Sequence, residues 1–299
     1  MPVLRTLALA LTLSGLLCGP LSAAQTPPVR VLASLPITYG LTELLLKDSG
    51  VHVERAAAAN LPGSRQSAYF SGRGAPALQK LANNADAVVG LRSLWRDDPL
   101  YPMARRSNIR IVEVDAARPV DGSLPGIAVQ PGASTDGLNS QPWLASNNMG
   151  RMADVIAADM ARLAPEAKPR IDSNLAALKQ RLLKLSARTE SRLASADNLS
   201  VISLSDRLDY LIGGLNLERV KTDVRTDDQW TAEALKGLSD DLSAGEVKVV
   251  LDHRQPPEAV KAAIAQAGAR LVVLDGEVSD PIAGLESSID QVLSVLVPL

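Results

Sequence analysis

Pro165-Glu-Ala-Lys-Pro-Arg-Ile-Asp-Ser-Asn-Leu-Ala-Ala-Leu-Lys-Gln-Arg-Leu-Leu-Lys-Leu-Ser-Ala-Arg-Thr-Glu-Ser-Arg-Leu193 is the stretch whose reading decides the architecture. Ile171, Leu175, Leu178, Leu182, Leu185 and Leu193 fall on one stripe at helical spacing, and Lys179, Arg181, Lys184, Arg188 and Glu190 take the opposite face. The spacing predicts one long helix with a single buried face, starting at Pro165, a position proline tolerates. At 1.5 Å per residue, about 30 residues reach about 45 Å, enough to run past two small lobes. A coiled-coil dimer seam would show the same stripe. This one lasts only about three heptads, which favours packing within the chain.

On both sides of that helix, strand and helix patterns alternate. Upstream, β-branched apolar runs at 29–35, 51–57, 86–91 and 109–114 read as strands, separated by helical patterns at 38–47, 76–83 and 101–106. A Gly-, Pro-, Ser- and Asp-rich loop at 119–141 leads to a helix at 147–163. Downstream, strands at 199–204, 219–223, 247–252 and 269–275 alternate with helices at 208–213, 231–242, 257–267 and 280–296. The expected class is α/β, with two lobes that each carry a mainly parallel sheet flanked by helices, joined by one long linking helix. The expected boundaries are 25–146 for the first lobe, 147–198 for the helical segment and 199–299 for the second lobe. A helix of that length should resist wide hinge opening between the lobes.

Residues 1–24 read as a cleavable export signal. Arg5 is followed by an apolar run over 6–17, then Gly19-Pro20 and the small residues Ser22-Ala23-Ala24. The apolar run is too short to cross a bilayer core of about 30 Å. Cys18 offers a rival reading as a lipid-anchored residue, but Leu16 and Leu17 stand where a small residue is required before it. Cys18 is the chain's one cysteine, so disulfide frameworks, thiolate catalysis and cysteine-ligated metal centres are excluded from a chain cleaved after Ala24. A formal net charge of −2 without a basic stripe argues against nucleic acid as partner. No Gly-x-Ser-x-Gly, Gly-Lys-Ser/Thr or His-Glu-x-x-His pattern occurs, and no enzymatic activity is expected.

Ligands of open α/β sheets sit beyond the carboxyl ends of strands. Three strands of the second half end in polar residues: Ser205-Asp206, Asp252-His253 and Asp275. Asp206, Asp252 and Asp275 are candidate hard oxygen ligands for Mn²⁺ or a similar ion, although helix capping or pairing with Arg207 and Arg254 would also explain Asp206 and Asp252. His253 is a candidate lone imidazole ligand. The chain has only one other histidine, His52, at the start of a strand.

Four segments in order resemble the metal-binding solute-binding proteins of ABC importers, the zinc and manganese group. Asn139-Ser-Gln-Pro-Trp-Leu144 is similar to that family's Asp-Pro-His-Val-Trp-Leu segment. Val201-Ile-Ser-Leu-Ser-Asp-Arg-Leu-Asp-Tyr210 resembles its strand ending in Ser-His-Asp-Ala-Phe. Val249-Val-Leu-Asp-His-Arg254 takes the place of a Val-Glu-Pro-Gln stretch, and Leu271-Val-Val-Leu-Asp275 resembles the strand that delivers the acidic ligand.

The resemblance implies a monomeric periplasmic protein that binds a small ligand, a metal ion or metal chelate, and passes it to an inner-membrane ABC permease. It also implies a degenerate site. The first family histidine should fall within 67–70, where there is none; the second aligns with Gln141 and the third with Ser205, and Asp275 alone is kept. Arg207 and Arg254, with Arg65 and Arg73 beside the first lost position, would suit an anionic chelate that brings its own donors. Tyr69, Trp95 and Trp143 are candidates to line the cleft, with packing in the core the preferred reading. A second functional reading stays open: an exported accessory protein of the same fold that has lost ligand binding and acts through protein contacts.

Overall fold

A computed structural model describes residues 28–130, 141–274 and 280–297. The first sheet is built from β1 (Arg30–Ala33), β2 (His52–Arg55), β3 (Ala87–Gly90) and β4 (Val112–Asp115), in the order β2-β1-β3-β4. The second contains β5 (Ser200–Ser203), β6 (Glu218–Thr222), β7 (Val249–Asp252) and β8 (Arg270–Val273), in the order β6-β5-β7-β8. Every pairing is parallel. The two halves therefore repeat one topology, as the alternation of patterns implied.

Helices α1 (Pro36–Leu46), α2 (Gly63–Ser71), α3 (Ala75–Asn83) and α4 (Leu100–Arg105) belong to the first half. Between the sheets run α5 (Ser146–Leu163) and α6 (Lys168–Leu193), and α7 (Asp209–Gly214), α8 (Ala232–Ala244), α9 (Glu258–Gln266) and α10 (Pro281–Leu296) follow. Alternate residues of each strand serve opposite faces. Val31 and Ala33 join a central core and Leu32 an outer one; in the second sheet Val201 and Val249 face inward while Ile202 and Val250 face outward. The central core is continuous through both halves, with α1, α5, α6 and α10 packed between the sheets.

The long helix is α6. It buries Ile171, Leu178, Leu182 and Leu185, each worth about 2 kcal/mol in removed apolar surface. It starts later than Pro165: a 3-10 turn at Pro165–Ala167 comes first. Pro169 explains this, because its ring would clash with the carbonyl four residues back in a continuous α-helix. The charged face is not simply solvated. Arg181 reaches Asp280 Oδ2 at 2.7 Å and Glu286 Oε2 at 3.0 Å, Arg188 reaches Asp290 Oδ2 at 3.3 Å, and Lys179 pairs with Asp154 of α5 at 2.9 Å. Helix α2 went unseen in the sequence, since only Gln66 and Phe70 of its Gly- and Ser-rich stretch are buried.

Candidate functional site

A cleft of about 840 Å³ lies between the two halves. The first half contributes Leu35, Pro36 and Ile37 after β1, residues 59–64 after β2, and Trp95 after β3. The second contributes Arg207 and Leu208 after β5, His253 after β7, and Leu274 after β8. All of these lie beyond the carboxyl ends of parallel strands, where this topology leaves room for a ligand. Gln141, Trp143, Leu144 and Met149 line the cleft too, as do Pro281, Gly284, Leu285 and Ser288, one face of the first turns of α10.

Gln141, Arg207 and His253 are thus brought to one cleft. Gln141 has left-handed backbone angles (φ 45°, ψ 59°), a conformation that costs a non-glycine residue about 1–2 kcal/mol. Ser205 is fully buried and engaged locally: its hydroxyl accepts from the Arg207 N–H at 3.1 Å and its carbonyl accepts from Ser203 Oγ at 2.6 Å. Asp206 is exposed and is not part of the cleft wall. Arg254 turns away, donating to Asp227 Oδ1 at 2.7 Å and to the Arg225 carbonyl at 3.2 Å. Arg73 lies over the Tyr69 ring, 5.6 Å from its centroid. Asp275 lies outside the described residues.

Asp252 is only 3% exposed and sits beneath His253. One of its oxygens accepts from the His253 backbone N–H at 2.7 Å and lies 3.3 Å from His253 Nδ1, outside hydrogen-bond geometry. The Nδ1 atom is buried, whereas the side chain as a whole retains 27% exposure. The ring edge that carries Nε2 is therefore the one able to meet a ligand. Metal-ligating histidines are oriented when the second ring N–H donates to a carboxylate, a bond that Asp252 does not make to this ring. Among the described residues, no group of three or more His, Cys, Asp or Glu is placed to hold an ion unaided.

The apolar walls outweigh the polar groups. Trp95 and Trp143 face the cleft while packing against the central core, so they serve both purposes weighed for them. The loop after β2, with Asn60, Leu61 and Ser64, was not singled out in the sequence because it carries no side chain of distinctive chemistry.

Asp280 secures the α10 wall. Its Oδ1 accepts from the Ile282 and Ala283 N–H groups at 2.9 and 3.0 Å, and Arg181 donates to its Oδ2 at 2.7 Å. Burial alone would raise its pKa, but the bond from Arg181, the two N–H groups and the guanidinium charge overcome that and hold it below 3.8. A depressed carboxylate stabilises the fold above its unfolded pKa, and that contribution is lost as pH falls through the folded value. Asp280→Asn should therefore cost about 1 kcal/mol near pH 6, since the group is a third exposed and solvent screens the pair. The difference in thermal midpoint should close below about pH 3.8. A gap that widens in acid would contradict this reading of the cap.

The model of the family described as zinc-uptake complex component A, periplasmic (ZnuA), matches residues 75–291. No curated protein matches the chain. Solved structures do. A 138–173 deletion mutant of ZnuA with zinc bound is 20% identical, with 91% of this chain and 99% of that chain covered and a TM-score of 0.65. The solute-binding protein FpvC of Pseudomonas aeruginosa in complex with Ni²⁺ is 20% identical, with coverage of 90% and 97% and a TM-score of 0.64. The metal-dependent lipoprotein YcdH of Bacillus subtilis is 18% identical, with coverage of 90% and 99% and a TM-score of 0.68. These likenesses show a shared fold, as expected from the repeated parallel sheets and the long helix between them. With the family model matching most of its length, the chain belongs to the family of the periplasmic zinc-uptake component ZnuA.

Proposed function

We propose that the protein is the periplasmic substrate-binding component of a metal-type ABC importer. In this reading it is exported by the signal ending at Ala24, acts as a monomer, holds a metal ion or metal chelate in the cleft, and hands it to an inner-membrane permease. The observation that carries the proposal is the cleft of about 840 Å³ at the carboxyl ends of strands from both sheets, in a chain of this family. The zinc and nickel named for the structural neighbours above support a divalent ion as cargo. Asp275 is the proposed carboxylate anchor, with Gln141 and His253 as further donors. Ser205 and Asp252 support the chain beneath the site, Ser205 through the turn after β5 and Asp252 through the His253 backbone N–H, while Asp206 stays outside the cleft wall. The open cleft favours ligand binding over a role through protein contacts alone.

Native mass spectrometry of the protein purified from the periplasm tests this reading. A metal or metal-complex mass should accompany the chain and fall away in Asp275→Ala. A chain that carries nothing, and takes up no metal species on titration, would overturn the proposal.

A further inference from the structure

The net charge of −2 conceals an uneven surface. Helices α2, α3 and α4 pack against one another over the outer face of the first sheet, around Leu32 and Val88. Residues 63–85 and 99–112, which build that layer, contain no Asp or Glu but carry Arg65, Arg73, Lys80, Arg105, Arg106 and Arg110. All six are exposed, and none has an ion-pair partner among the described residues. They come from separate segments, so the sequence itself shows no basic stripe.

Four of the six gather at one end of the layer. Lys80 lies in the last turn of α3 and Arg105 in the last turn of α4, with Arg106 next to it. The Asn108 side chain locks these helix ends together: its Nδ2 donates to the Ala82 and Ala85 carbonyls at 3.0 and 2.8 Å, and its Oδ1 accepts from the Arg110 N–H at 3.1 Å. The Ile111 N–H donates to the Asn108 carbonyl at 3.2 Å, closing a turn with Ile109 and Arg110 at its tip. Ile109 is 77% exposed. The turn leads into β4, so it sits at the amino-terminal ends of the strands, away from the cleft. Asp86, just before β3, turns toward β1, where it accepts from the Arg30 N–H at 2.9 Å. Helix C-termini favour cations, which accounts for Lys80 and Arg105 but not for Arg110 or for an isoleucine held out in water.

We propose that this end of the first lobe is a docking surface for an anionic phospholipid bilayer, with the cations meeting headgroup phosphates and Ile109 entering the interface. A fluid bilayer meets each cation by lateral movement of its lipids, so it needs no matching array of acids. It also covers an aliphatic side chain that projects from the same turn. An acidic protein surface accounts for the cations alone; the bilayer accounts for the cations and the isoleucine together. At about 1 kcal/mol, or about fivefold in affinity, per cation, the attachment is weak and reversible. It leaves the cleft facing away from the lipid and open to ligand.

Co-sedimentation with vesicles tests this, using protein purified from the periplasm. One set of vesicles is phosphatidylcholine alone; the other contains about a quarter phosphatidylglycerol. Any contribution from residues 1–24 is common to every variant and cancels in the comparison. The protein should sediment with the charged vesicles only, and about 0.5 M salt should release it. Arg106→Glu combined with Arg110→Glu should weaken binding about twentyfold or more. Ile109→Ser should weaken it about fivefold. Lys184→Glu, on the exposed side of α6, shifts the net charge in the same sense and should leave binding within about twofold. These side chains are all exposed, so the circular dichroism of each variant should match the wild type. Equal sedimentation with both vesicle types, none with either, or a Lys184→Glu loss as large as that of the double reversal overturns the inference. Binding to immobilised polyglutamate without binding to the charged vesicles assigns the face to an acidic protein and overturns the bilayer reading.

Discussion

Titrated with bare Zn²⁺, the protein is expected to bind at least about 10³-fold more weakly than an imidazole-built site of the same family type. Structural zinc sites with four strong donors gain about 10–16 kcal/mol, or about 3 kcal/mol per donor. By the family resemblance, three imidazole positions have become the 67–70 stretch, Gln141 and Ser205. The Ser205 hydroxyl is fully buried and accepts from the Arg207 N–H, so it offers nothing to an ion. Gln141 brings a neutral amide, a weak donor for zinc. Even if His253 replaces one imidazole, the loss of two leaves a deficit of about 6 kcal/mol, or about 10⁴-fold. Whatever Zn²⁺ or Mn²⁺ binding remains should depend on Asp275. Competition calorimetry with both ions checks this. Nanomolar Zn²⁺ affinity that survives Asp275→Ala would sink the account of the degenerate site.

The strand-end rule pointed in the sequence to the cleft that the structure shows, but not to the direction of each side chain. Asp252, His253 and Arg254 are consecutive, yet one lies buried beneath the imidazole, one faces the cleft and one pairs with Asp227 on the outside. Backbone alternation beyond the strand sorts them, and composition holds no trace of it. Ser205 is the same case: it is correctly placed beyond β5 but used up in the turn that follows. The fold was more legible because it rests on period. Residues 168–193 carry six turns of apolar spacing, whereas α2 buries one residue pair and leaves no pattern to read. The ion pairs from α6 to α10 were hidden for a related reason. A charged face at helical spacing looks the same whether it meets water or a second charged helix.

Asp98→Ala is expected to cost about 3 kcal/mol of stability, the largest single loss foreseen away from the apolar core. Asp98 is 2% exposed, and its two oxygens accept from the Leu91 N–H at 2.9 Å and the Leu100 N–H at 3.1 Å. It thereby ties the exit of β3 to the start of α4. Removing it strands two donors on fully buried residues, each costing about 1–3 kcal/mol. Relief of the buried charge offsets part of this, but the orphaned donors remain at every pH. Gly90 belongs to the same device, because a Cβ there would lie 2.8 Å from Asp98 Oδ2. Gly90→Ala should show a smaller loss of about 1–2 kcal/mol as the carboxylate is pushed off Leu91.

The pH dependence of this staple has a definite sign. Burial raises the Asp98 pKa above 3.8 against the lowering effect of its two backbone N–H bonds, so the folded state holds the proton more tightly than the unfolded chain. The group's contribution is therefore greatest below about pH 3.8 and declines as pH rises through the folded pKa, the reverse of Asp280. In urea unfolding, the gap between wild type and Asp98→Ala should be at least as wide at pH 4 as at pH 7. A gap that grows toward neutral pH would mean that the ionised carboxylate, rather than its protonated form, is what the fold prefers at this position.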